Sequence, residues 1–150
     1  MVNVKGTSGK SISVQMTGVG EVVRRMNAGN QKITNNIEAE VVRMGAFIED
    51  EVKESLAGNR AEHQSVDTGT LIKSIKAKKV GNMRMMIAPE RKSYSGAKTT
   101  TEDTAAFMEY SKDIVGGPRA HFKHTEKRNA HKIQKEIEKE VKKGVTWINR

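Results

Sequence analysis

Ile33, Ile37, Val41, Met44, Ile48 and Val52 return every three or four residues, and this stripe limits the fold more than any other feature of the chain. That period is one face of a single long helix, and such a face must be laid on another element. The spacing predicts a helix ending at Leu56, stopped by Gly58-Asn59. Glu38, Glu40, Arg43, Glu49, Asp50, Glu51, Lys53 and Glu54 occupy its wet side. Gly45 lies inside the helix, where glycine costs on the order of 1 kcal/mol relative to alanine. It points to a neighbour packed close to the backbone. Val22, Val23 and Met26 start a similar face that Asn27, Gly29 and Asn30 interrupt, so a short helix is expected before the long one.

The period then changes. Ile75, Ala77 and Lys79, then Met83, Met85 and Ile87, recur at every second position on either side of Gly81-Asn82. This predicts a β-hairpin, ended by Pro89. Between the helical and alternating regimes lies Val66-Asp67-Thr68-Gly69-Thr70-Leu71-Ile72-Lys73-Ser74-Ile75. Asp67 or Thr68 can cap a helical turn by accepting from its free N–H groups. Gly69 permits an unusual backbone conformation, and Leu71, Ile72 and Ile75 supply an apolar stripe. The segment reads as a capped corner between helix and sheet.

Around this centre the remaining elements are shorter or more polar. Ile12, Val14 and Met16 alternate as a strand, closed by Gly18 and Gly20, after an N-terminal tail of about ten residues expected to be mobile or ordered by a partner. Glu90–Asp103 reads as a long exposed polar loop, of the kind that is functional or disordered. Thr104–Tyr110 reads as a short helix or strand around Glu109, and Gly116-Gly117-Pro118 as a second loop. A last helix is expected from Phe122 to Lys143, with Ala130, Ile133, Ile137 and Val141 as its stripe and Gly144 as its stop. Val145, Trp147 and Ile148 form an apolar tail suited to docking. The sum is one α+β domain over 1–150: a small antiparallel sheet packed by two long helices.

A chain of 150 residues can bury one core, but hydrophobic residues at 35% and aromatics at 4% make that core modest. Some apolar surface is therefore expected to be buried against partners. The net charge of +9 suits nucleic acid, anionic membranes or acidic proteins. There are no cysteines, which excludes disulfides, thiol catalysis and thiolate metal sites. No apolar run has the length of a membrane span and the N-terminus lacks a signal-peptide core, so a soluble protein made in a cytoplasm is expected.

Few residues carry chemistry. His121, His124 and His131 cluster near Glu126, but their spacing matches no standard metal motif, and solvated or interface histidines are the better reading. Glu109, in an apolar segment, could serve as a general acid or base, and a small hydrolase using it with His121 or His124 is conceivable. No second carboxylate or nucleophile stands nearby, so pairing with Arg119 or a lysine, fixing two loops or two subunits, is preferred. Lys76, Lys78, Lys79 and Arg84 make a basic hairpin able to touch phosphates. Lys123, Lys127, Arg128, Lys132, Lys135, Lys139, Lys142 and Lys143 do the same on the last helix, although interleaved glutamates also allow a plain solvated face. Gly18-Val19-Gly20 and Gly116-Gly117-Pro118-Arg119 lack the spacing of phosphate-binding loops. No cofactor is expected.

Val66–Ile75 also resembles the "vDTGxLrxSI" signature of the gene-product-ten-like tail-component family of long-tailed bacteriophages, the tail-completion or head–tail connector (neck) proteins. The motif positions are Asp67, Thr68, Gly69, Leu71, Ser74 and Ile75. The order of elements is similar: a strand and glycine before a long helix, then a variable loop before an "A-x-x-x-E-[FY]-G-[ST]" segment. Here that segment is Ala105–Tyr110, with Ser111-Lys112 in place of the last two positions. A Gly-Pro-Arg loop with an aromatic follows, here Gly117–Phe122. The resemblance implies a non-enzymatic virion protein that forms a homo-oligomeric, commonly hexameric ring capping the tail tube and docking the head-side connector. It further implies assembly in the host bacterial cytoplasm, transient contact with DNA in the channel through Lys76, Lys78, Lys79 and Arg84, and no membrane partner. Glu109, Tyr110, Arg119 and Phe122 are the expected intersubunit or loop-fixing residues. The alternative from charge alone is a non-specific basic nucleic-acid-binding protein.

Overall fold

A computed structural model of the chain describes residues 2–4, 14–16, 31–60, 64, 69–114 and 117–148. Its elements are β1 (Val2–Val4), β2 (Val14–Met16), α1 (Gln31–Leu56), α2 (Thr70–Ser74), β3 (Ile75–Gly81), β4 (Arg84–Pro89), α3 (Thr101–Tyr110) and α4 (His121–Ile148). The strands form one antiparallel sheet in the order β1-β2-β4-β3. Helix α1 lies over β3 and β4, α4 lies beside α1 and over β1 and β2, and α3 closes the end against β4, α2 and α4. The α+β architecture expected from the change of period is the one observed.

Every member of the α1 stripe is buried, and Leu56 extends it. Gly58, at φ 81°, follows the end of the helix. Gly45 faces β4: a side-chain carbon there would sit 2.9 Å from Met85 Cγ and Cε, so its absence lets helix and sheet meet. In β3 and β4, Ile75, Met85 and Ile87 turn to the core, while Lys76 and Lys78 alternate away from it. Among the described residues no helix is long and apolar enough to cross a membrane.

Four expectations are corrected. Val2–Val4 is an edge strand, with Val2 opposite Met16, and so part of the sheet instead of a tail. The hairpin turns at Asn82-Met83, one residue later than expected, with Met83 at φ 56°. Helix α3 starts at Thr101, inside the expected loop. Thr100 Oγ1 accepts from the Asp103 N–H at 3.3 Å, and Asp103 Oδ2 accepts from the Thr100 N–H at 3.2 Å. This reciprocal capping box fixes the start. Gly144 lies within α4 instead of ending it: a side-chain carbon there would come within 2.7 Å of Ile33 Cγ1, so this glycine is a point of close approach between α4 and α1. The short helix expected around Val22–Met26, and the Gly18 and Gly20 stops, lie outside the described residues.

Candidate functional site

The corner between α1 and the hairpin is built from short-range bonds. Gly69 occupies the cap position of α2 at φ 70°, a left-handed conformation that costs glycine little. Among the described residues nothing lies where a side-chain carbon would go, and the left-handed backbone is what calls for glycine. Leu71 and Ile75 are buried in the core. Ser74 Oγ donates to the Leu71 carbonyl at 2.7 Å, and the Ser74 carbonyl accepts the Glu90 N–H at 2.7 Å, which ties the corner to the end of β4. Asp67 and Thr68, the expected caps, lie outside the described residues.

The second constellation is where α3 hands over to α4. A helix start normally carries a Ser, Thr, Asp or Asn whose oxygen bonds the N–H groups two and three residues on. Here the residue before α4 is Ala120, at φ 25°, which has no such oxygen. Glu109, from the last turn of α3, takes over: Oε2 accepts from the Phe122 N–H at 3.1 Å and Oε1 from the Lys123 N–H at 2.9 Å. The same turn is held by the Arg119 N–H donating to the Met108 carbonyl at 2.9 Å. Burial pushes the Glu109 pKa up, and the two amides, His124 and Lys123 oppose that shift. The residue is only 5% exposed, so its carboxylate is a structural cap for a neighbouring helix.

His121 stands beside this cap and is 1% exposed; its Nδ1 lies 2.8 Å from Ser55 Oγ of α1. A histidine expected in solvent or at an interface is instead a buried pin between the two long helices. The pair has the residue types of a nucleophile and base, but both are sealed in the helix interface, where they hold position. About two turns further on, buried Asn129 donates from Nδ2 to the Thr125 carbonyl at 3.0 Å and to Glu51 Oε2 at 3.4 Å. Glu51 also receives Arg60 Nη2 at 2.5 Å, and that hydrogen bond is the main cause of its lowered pKa. Among the described residues no three His, Asp or Glu side chains converge as metal ligands.

The expected intersubunit residues therefore divide. Glu109 binds α4 backbone amides, and the Arg119 guanidinium donates to the Gln64 carbonyl at 2.8 Å. Phe122 is buried in the core and offers nothing to a neighbour. Tyr110 is 52% exposed, beside Phe107 at 53% one turn earlier on α3, so the pair makes an apolar outward face. Sequence reasoning did not single out Phe107. The loop before α3 is anchored at its base: buried Thr101 donates Oγ1 to the Glu90 carbonyl and accepts the Lys92 N–H, and Ser93 pairs with Thr100.

The hairpin cations are partly occupied. Lys76 Nζ lies 3.8 Å from Glu49, Lys78 Nζ lies 3.0 Å from Glu90, and Lys79 pairs with Glu38; Arg84 has no ion pair among the described residues. Glu49 Oε2 also accepts the outward N–H of Ala77 at 2.6 Å, which blunts the free edge of the sheet. No protein-family model, curated protein or solved structure matches the chain.

Proposed function

We propose that this chain is a structural subunit of a long-tailed bacteriophage particle, a tail-completion or neck protein that forms a ring between the tail tube and the head connector. The resemblance of Asp67–Ile75 to the family signature carries the reading. Support comes from the build of that corner, where a left-handed Gly69, a buried Leu71 and Ile75 and the Ser74 bonds fix the angle between α2 and the hairpin. Each motif position that is described thus has a structural task. Further support comes from the exposed Phe107–Tyr110 pair and the anchored loop before α3, surfaces suited to a neighbouring subunit. In a closed ring each contact joins two different patches, so this pair would meet a different face of the next copy. Partners on this reading are other copies of the chain, commonly six in all, with the tail tube protein, the head connector and the DNA that passes through.

Mass measurement of the purified protein under native conditions tests the ring. A closed oligomer weakened by Phe107→Ser with Tyr110→Ser is the expected result, and a monomer at all concentrations counts against it. A basic nucleic-acid-binding protein working outside any particle is the rival reading, favoured by the +9 charge. It predicts a monomer that binds duplex DNA tightly and is missing from particles.

A further inference from the structure

We infer that the outward face of α4 is a contact surface for the phosphate backbone of duplex DNA, read without regard to base sequence. It concerns a different surface from the hairpin, and it rests on the virion reading only for the source of the DNA. In the sequence the lysines and glutamates of α4 interleave, which allows a neutral solvated face. The folded helix turns three of its four carboxylates away from the exposed crest. All eight of its lysines and arginines are exposed, whereas Glu126, Glu136 and Glu140 sit half-buried on its flanks and Glu138 is the exposed carboxylate. Two flank carboxylates are engaged, Glu136 with Arg43 and Lys139, and Glu140 with Lys143 at 2.6 Å. Glu138 accepts from Gln134 at 2.7 Å. Lys127, His131, Lys135 and Lys142 run along the crest at spacings of four or seven residues, and Lys127 and Lys135 have no ion pair among the described residues.

The geometry favours duplex over other polyanions. A helix of 28 residues is about 42 Å long, slightly more than one turn of B-DNA at about 34–36 Å. Residues four apart rise about 6 Å, so successive cations track one strand of phosphates. A protein partner would need a buried aromatic or apolar anchor, and among the helix residues whose side chains are described the one apolar residue on the exposed face is Val145, near the helix end. A membrane helix would sink its apolar side into lipid, but Ile133 and Ile137 are buried in the core. Seven of the eight cations are lysine, a point charge suited to phosphate and poor at bidentate base reading.

The test is anisotropy of a labelled random-sequence duplex titrated with the full chain between about 50 and 200 mM salt. Three lysine–phosphate contacts predict a loss of affinity of about fortyfold over that range. Lys127→Gln with Lys135→Gln and Lys142→Gln should lower the logarithmic salt slope by about 2.7, at about 0.9 per contact, with an unchanged thermal midpoint. Arg91→Gln with Lys98→Gln and Lys112→Gln removes the same charge elsewhere and should leave most of the slope. Equal losses in the two triple variants would reduce the effect to net charge and overturn the assignment. So would absence of duplex binding at low salt, or tighter binding to phosphatidylserine–phosphatidylcholine vesicles than to duplex. A particle assay that fails while duplex binding holds would remove the virion reading alone.

Discussion

The two sides of α4 use charge in opposite ways. On the inner side, Glu109 from α3 and His121 and Asn129 of α4 are buried and each meets a fixed partner. On the outer side, Lys127 and Lys135 stand in water with no ion pair among the described residues. A buried polar group costs free energy unless every bond is made, so it holds one geometry. An exposed cation costs almost nothing to the fold and stays available to a partner. The inner side thus specifies the structure and the outer side is free to serve a function.

The largest expected effect is at the inner cap. Glu109→Ala leaves the Phe122 and Lys123 N–H groups without their acceptor and should cost about 2–4 kcal/mol in urea unfolding. A loss below that of an exposed substitution would mean that α4 starts without this cap. Ser55→Ala comes next: it removes the partner of His121 Nδ1 inside the core and should cost about 1–3 kcal/mol.

The two buried-side carboxylates should also respond to pH with opposite sign. Arg60 holds Glu51 below its usual value, so its contribution is present above the unfolded pKa and lost as pH falls through the folded one. The advantage of the parent over Glu51→Gln should therefore hold from pH 7 to about 5 and shrink as the pH falls further. Burial raises Glu109, so its contribution is present below the unfolded pKa and lost as pH rises through the folded one. The advantage over Glu109→Gln should instead grow as the pH falls from 7 toward the unfolded carboxyl value of about 4.3. Parallel slopes from urea midpoints would contradict the assignment of either environment.

At the small end, Lys135→Gln should change stability by less than about 0.5 kcal/mol, a shift of about 1–2 °C in thermal midpoint. A larger change would place Lys135 in the inner class.

Apolar period made much of this legible. The α1 stripe, the hairpin with its stop at Pro89 and the close neighbour of Gly45 follow from it. The inner face of α4 does not, because Thr125 and Asn129 alternate with Phe122, Ile133 and Ile137 there, and a pattern of apolar residues passes over buried polar ones. Glu109 as a cap had a signal: a long helix with no capping residue before it and one isolated acid upstream. The capping box at Thr100 and Asp103 was also in plain sight, hidden by a run of polar residues that reads as loop. Strand β1 is three residues long and exists through its pairing with β2, which no local pattern carries. The separation of charge on α4 needed the rotation of the helix against α1 to be known.

Mass spectrometry of purified phage particles from the strain that carries this gene tests the central claim most directly. The chain is expected at a few copies per particle, near the number that one ring requires, released together with neck or tail proteins on disassembly. Its absence from mature particles that are otherwise complete would contradict the account.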